Sequence, residues 1–307
     1  MRRVVIAALA FSLAASEQAW AQLTTSTTFN PSGAGSLCGL GMARATGDLW
    51  VYGCSEADVQ RYSTAGAFLS AVPRPGESAN DVDVEVAPEA LTLSSILVPK
   101  GSLLFVNGES GAADICAVDP TTGSVIATLA TAFGVGHVVG GAYHRGRDTF
   151  FLVQDLVPGT ADENRIAEID AATGSVLNTF QITATFAVNF GDIEVCAATG
   201  NLLVASSNET RLAEYAPTGG FIAYHDLPVG VSLLSGIGIE DASGDIWVAG
   251  TGGSVWRLLG GPCATAAEVP ALPGAFPLAI ALLLLGSGLT TLALRDRVGA
   301  RSRGTGS

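Results

Sequence analysis

Seven acidic residues cluster in three short segments of the chain: Asp81, Asp83 and Glu85; Asp192 and Glu194; Glu240 and Asp241. If those segments are strands whose ends converge, their carboxylates supply the oxygen donors that Ca²⁺ takes. The plainer reading is that acids beside glycine turns are solvated turn and strand-end residues. No other cofactor is suggested. The three histidines, His137, His144 and His225, show no His-x-His or His-Glu-x-x-His spacing, so a transition-metal site is not expected. Without a Gly-x-Ser-x-Gly elbow or a Walker loop, nucleophilic and phosphoryl-transfer chemistry have no candidates. No catalytic residue can be named, and the chain reads more readily as a binder than as an enzyme.

The five cysteines bear on folding. Cys38 and Cys54 flank a hairpin; with its turn centred on Thr46 they face each other, and a cross-strand disulfide is expected. Cys116 and Cys196 fall in separate units and are expected as buried, inert thiols. Cys263 has no evident partner, and no Cys-x-x-Cys suggests a zinc or redox motif.

These groups need elements to position them, and the two ends of the chain are not those elements. Residues 1–21 read as a signal peptide: Arg2 and Arg3, an apolar run over 4–15, then small residues at Ala19 and Ala21 for the peptidase. Residues 274–294 are uncharged and long enough to span a bilayer. Arg295, Arg297, Arg301 and Arg303 follow in a basic tail, 295–307, which the positive-inside rule keeps cytoplasmic. The order Val269-Pro270, apolar helix, arginines resembles the PEP-CTERM class of bacterial sorting tags, although Glu-Pro does not follow and the tail is longer. That resemblance implies an exosortase-like processing protease and display at the cell surface; a plain membrane anchor through Gly274–Leu294 is the rival. Either way the intervening part is exported. It holds 9 bases against 26 acids, a charge of −17 within a whole-chain charge of −13. Nucleic acid is therefore excluded as a partner, since its binding needs clustered cations.

The middle, 22–262, is one repeated unit, joined to the helix by a linker over 263–273. A first signature runs apolar strand, Gly turn, β-forming strand. It reads Leu40-Gly-Met-Ala-Arg-Ala-Thr-Gly47-Asp-Leu-Trp50-Val51 early and Ile237-Gly-Ile-Glu-Asp-Ala-Ser-Gly244-Asp-Ile-Trp247-Val248 late. Further copies cover 193–204 and, more weakly, 101–106 and 147–153. A second signature, strand then Thr-Gly turn, recurs as Ile115-Cys-Ala-Val118-Asp-Pro-Thr-Thr-Gly123 and Ile166-Ala-Glu-Ile169-Asp-Ala-Ala-Thr-Gly174, with relatives at 59–66, 212–219 and 255–258. Units return every 44 to 54 residues, each with four short strands.

A four-stranded sheet cannot cover both apolar faces alone, and blades packed around an axis can. The repeats resemble the NHL, YncE and SMP-30-like propellers over about residues 36–260. The resemblance implies an all-β propeller, most simply of five four-stranded blades, with the β-prone stretch before Cys38 closing the last blade. Six blades result if Asn80–Val86 starts its own unit, and a β-sandwich is the alternative architecture. SMP-30-like lactonases use a funnel metal, which gives the acids a second motive. The expected function is an exported, membrane-tethered or surface-sorted binding or scaffold module of the bacterial envelope or matrix, with a protein or polysaccharide ligand. The alternative is a Ca²⁺-dependent lactonase-like hydrolase with an acidic funnel.

Overall fold

Successive side chains of a strand point to opposite faces. Here that alternation divides the core into five patches, one for each pair of neighbouring blades. The structure, a computed structural model, describes residues 22–32, 35–54, 56–75, 82–155 and 164–264. Asp81, Ala19, Ala21, Val269, Pro270, the apolar segment 274–294 and the basic tail lie outside the described residues. Among the described residues no helix is long and apolar enough to cross a membrane.

Strand β1 (Thr24–Phe29) is first in the chain and last in space. Blade 1 is β2 (Leu37–Ala43), β3 (Asp48–Gly53), β4 (Asp58–Tyr62) and β5 (Phe68–Pro73). Blade 2 opens with β6 (Val82–Val86), inserts a small hairpin of β7 (Leu91–Leu93) and β8 (Ile96–Val98), and continues as β9 (Leu103–Asn107), β10 (Asp114–Val118) and β11 (Val125–Ala130). Blade 3 is β12 (Val138–His144), β13 (Thr149–Gln154), β14 (Arg165–Asp170) and β15 (Val176–Gln181). Blade 4 is β16 (Gly191–Val195), β17 (Leu202–Ser206), β18 (Arg211–Tyr215) and β19 (Phe221–Asp226). Blade 5 is β20 (Leu234–Ile239), β21 (Ile246–Gly250) and β22 (Ser254–Leu259), completed by β1 antiparallel on β22.

The fold is thus a five-bladed β-propeller with four-stranded blades. The six-blade alternative fails because β6 pairs with β9 as the inner strand of blade 2. A sandwich fails because the inner strands β2, β6, β12, β16 and β20 pack side by side in a closed ring. On β3, Trp50 and Tyr52 join the patch shared with blade 2, whereas Leu49 and Val51 join the one shared with blade 5. The other three patches fill the remaining interfaces. Burial on both faces explains why inner and second strands read as unbroken apolar runs.

The Thr-Gly turns have a local cause. Asp119 accepts backbone N–H bonds from Thr121 and Thr122, and Asp170 does the same with Ala172 and Thr173. Gly123 and Gly174 then take φ of 72° and 73°, which an L side chain resists.

Two disulfides are present. Cys38 and Cys54 are joined, Cα atoms 4.9 Å apart, across an irregularity in the β2–β3 ladder between Leu37 and Gly39. Cys196, expected as a free thiol, is bonded to Cys263, expected to lack a partner, with Cα atoms 5.2 Å apart. Sequence spacing hid this pair because its loop closes only when β22 completes blade 5 and the chain returns beside the end of β16. Cys116 is a free thiol, half-buried rather than buried, 3.6 Å from Thr128 Oγ1.

Candidate metal centre on the propeller axis

Inner strands approach one another closely because glycines replace side chains where they meet. A Cβ on Gly140 would overlap the Asp192 carboxylate and lie 2.7 Å from its Cα; one on Gly39 would lie 2.7 Å from Asp83 Oδ1. The space left open is filled by acids. Asp83 and Glu85 come from β6 and Asp192 and Glu194 from β16, two strands with a blade between them, and all four are buried.

Ligand oxygens of Asp83, Glu85 and Asp192 all lie within 4.8 Å of one another. Asp83 Oδ2 accepts from the Gly141 amide at 3.4 Å, tying blade 2 to blade 3. Asp192 Oδ2 accepts from the Ile237 amide at 2.8 Å, tying blade 4 to blade 5, and its Oδ1 accepts from Ile193 at 2.6 Å. Glu194 Oε1 accepts from the Val195 amide at 2.7 Å and from Arg44 Nη2 at 3.1 Å. Glu85 makes no such bond: it is 5% exposed and its Oε1 is buried without a partner, as is Asp83 Oδ1.

Removal from water is costly for an unpaired carboxylate, which responds by holding its proton. Burial pushes Asp83 up to about 7. Burial and the neighbouring acids hold Glu85 and Asp192 well above the usual carboxylate range. Glu194 is also raised by burial, with Arg44 opposing. Four acids against one guanidinium leave an excess of oxygen donors, and all the donors are hard. That set suits Ca²⁺ or a similar cation and does not suit a thiophilic metal.

Arg44, at the end of β2, closes this chamber at one mouth. Its Nη1 pairs with Asp241 Oδ1 and its Nη2 with Glu194, and Arg145 Nη2 reaches the other Asp241 oxygen at 2.6 Å. The seven acids therefore separate. Asp83, Glu85, Asp192 and Glu194 come together on the axis. Asp241 belongs to the ion-pair network at the mouth, and Glu240 pairs with Arg257 at 2.8 Å away from it. Arg44 and Arg145 were missed from sequence. The available signal was that Arg44 and Asp241 each stand three residues before the turn glycine of their repeat, Gly47 and Gly244, which places them at one height.

No family model matches the chain, and no curated protein matches it in sequence. Solved structures do resemble it. Myxococcus xanthus glutaminyl cyclase is 14% identical with a TM-score of 0.51, the match covering 77% of this chain and 95% of that one. A gluconolactonase from Xanthomonas campestris is 13% identical with a TM-score of 0.51, over 78% and 93%. Identities this low establish a shared fold and nothing about chemistry.

Proposed function

We propose that this protein is an exported propeller that serves as a binding or scaffold module of the cell envelope, with a divalent cation, Ca²⁺ by its donor set, fastening its axis. The single observation that carries the cation is Glu85: an acid with no partner, buried against Asp83 and Asp192, in a chamber with more carboxylates than cations. Asp83, Glu85 and Asp192 would hold the ion, and Glu194 would add a further oxygen. A cation there neutralises charge that the fold otherwise carries by holding protons. It also links blades 2 and 4, whose strands belong to separate sheets.

Burial of all four acids, with Arg44 held across one mouth by Glu194 and Asp241, favours support over turnover. Export is supported by two disulfides, which persist in oxidising compartments, and by the signal-like and sorting-like ends of the sequence. A metal-dependent hydrolase is the second reading, drawn from the gluconolactonase and glutaminyl cyclase neighbours together with the acidic chamber.

Titration of the EDTA-stripped protein with Ca²⁺, followed by calorimetry and melting temperature, tests the cation. No heat and no rise in melting temperature would remove the site. Hydrolysis of glucono-δ-lactone, lost in EDTA and restored by Ca²⁺, would favour the second reading. Mass spectrometry of the mature C-terminus separates sorting-tag cleavage from a retained anchor.

A further inference from the structure

Beyond the axial acids, one cavity gathers polar atoms that have no hydrogen-bond partner among the described residues. It lies where the inner strands of blades 1, 3 and 4 end, and is lined by Arg44, His144, Arg145, Gly146, Cys196 and Gly200 among others. His144 Nε2 is 3.1 Å from the Gly200 carbonyl oxygen, which can only accept, so Nε2 carries the proton. Nδ1 is left as a lone-pair acceptor, and it is buried with no partner. Arg145 Nε is a buried donor, also without a partner. The His144 ring is buried, with Gly146 and Gly200 beside it.

These features define a complement. Asp241 pairs with both arginines and Glu194 with Arg44, so the capacity left over is the buried Nε of Arg145, a charged donor that a single carboxylate satisfies. The histidine lone pair needs a donor, which a carboxylate lacks and a hydroxyl supplies. The cavity measures about 80 Å³, where about 10–15 Å³ on the same measure holds one water, so it takes a group of several heavy atoms. We propose that this mouth cavity binds a small hydroxycarboxylate, free or as the end of a longer chain. Arg145, backed by Arg44, takes the carboxylate, and the ligand's hydroxyl donates to His144 Nδ1. Desolvation holds His144 below its ordinary range, which keeps the lone pair available at neutral pH.

This inference does not rest on the axial cation: neither His144 nor Arg145 contacts Asp83, Glu85 or Asp192 among the described residues, and only the supporting Arg44 touches an acid of the chamber, Glu194. Calorimetric titration of the full-length protein in EDTA with glycolate, acetate and inorganic phosphate tests it separately. Glycolate binds, acetate binds at least tenfold more weakly, and Arg145→Met abolishes both. His144→Gln leaves glycolate no better than acetate. Equal affinity for glycolate and acetate in the wild type, no heat with either, or phosphate binding tighter than glycolate overturns the proposal. So does an Arg145→Met variant that still binds glycolate. The Arg145 side chain is 34% exposed, so that variant keeps the test decisive if His144→Gln fails to fold.

Discussion

Replacing Glu85 by Gln removes one charge from the axis and almost no volume, so its effect on stability isolates the electrostatics of the chamber. Two ways of keeping Glu85 in the cation-free fold can be compared. Ionised, it lies within 4.8 Å of Asp83 and Asp192 oxygens, and two unit charges at that distance repel by about 3 kcal/mol at an effective dielectric constant near 20. Protonated at pH 8, it costs about 1.4 kcal/mol per pH unit above its unfolded pKa of about 4.3, or roughly 5 kcal/mol. Burial adds to the first cost and the second caps it, so about 3 kcal/mol is the least burden expected at pH 8.

The sign follows from the raised pKa of Glu85 in the fold. The folded state binds the proton more tightly than the unfolded one, so stability is greatest in acid and falls as pH rises. In EDTA, Glu85→Gln and wild type should melt together near pH 4. The variant should pull ahead with rising pH, by at least about 6 °C at pH 8 for a domain of this size. Adding Ca²⁺ at 100 times its dissociation constant returns about 2.7 kcal/mol to the wild type and much less to the variant. Scanning calorimetry at several pH values, with EDTA and with Ca²⁺, reads both effects. The reasoning fails if Glu85→Gln is less stable than wild type at pH 8 in EDTA while its Ca²⁺ response is intact.

Other parts of the fold make separate demands. Gly140→Ala should cost 1–3 kcal/mol or more by forcing β12 and β16 apart, while Gly252→Ala, with nothing near its new Cβ, should be close to neutral in urea denaturation. Loss of the Cys196–Cys263 bond, 67 residues apart, should destabilise by about 4 kcal/mol, against about 3 kcal/mol for Cys38–Cys54, 16 apart, because the longer loop frees more unfolded-state entropy. Comparison of Cys263→Ser with Cys54→Ser by chemical denaturation checks the order. Burial pushes Asp155 up to about 6, with the Phe190 amide at 3.3 Å opposing, so its share of stability is present in acid and is lost as pH rises through 6. Asp155→Asn should therefore flatten the stability profile between pH 4 and 7.

The repeat was legible because each unit must rebuild the same turns. Gly47, Gly200 and Gly244 take φ of 74°, 75° and 73°, a constraint no other residue type meets as easily, so it stays visible through divergence. Closure by β1 was legible for a related reason: blade 5 lacked an outer strand, and a β-prone segment lay unassigned. What stayed hidden depends on distance across the ring. Nothing along the chain says that Cys263 returns to Cys196, or that Arg44 bridges Glu194 and Asp241 from other blades. Nor does it say which acids reach the axis: Glu240 and Asp241 look as convergent as Asp192 and Glu194 until the ends of β20 and β16 are placed.

The repeats nevertheless limit what the axis can hold. Gly39, Asp192 and Gly236 each stand eight residues before their turn glycine, so they occupy one height, and the close contacts of Gly140 with Asp192 and of Gly39 with Asp83 add Gly140 and Asp83 to that layer. Two carboxylates and three glycines share it. The pairing is steric in origin: Gly39 and Gly140 each admit a neighbour's acid, whereas Gly236 admits the strand backbone at Gly39 and Leu40. One layer on, Gly41 lets the Val84–Glu85 backbone approach and Gly238 lets Leu40 and Met42 approach, so those glycines admit the neighbouring strand and not an acid. A five-fold frame of this kind cannot offer a symmetric ring of ligands. It gathers acids from two opposed blades, and any cation it holds must act as a strap across the axis, which is why loss of one acid should register as a change in whole-domain stability.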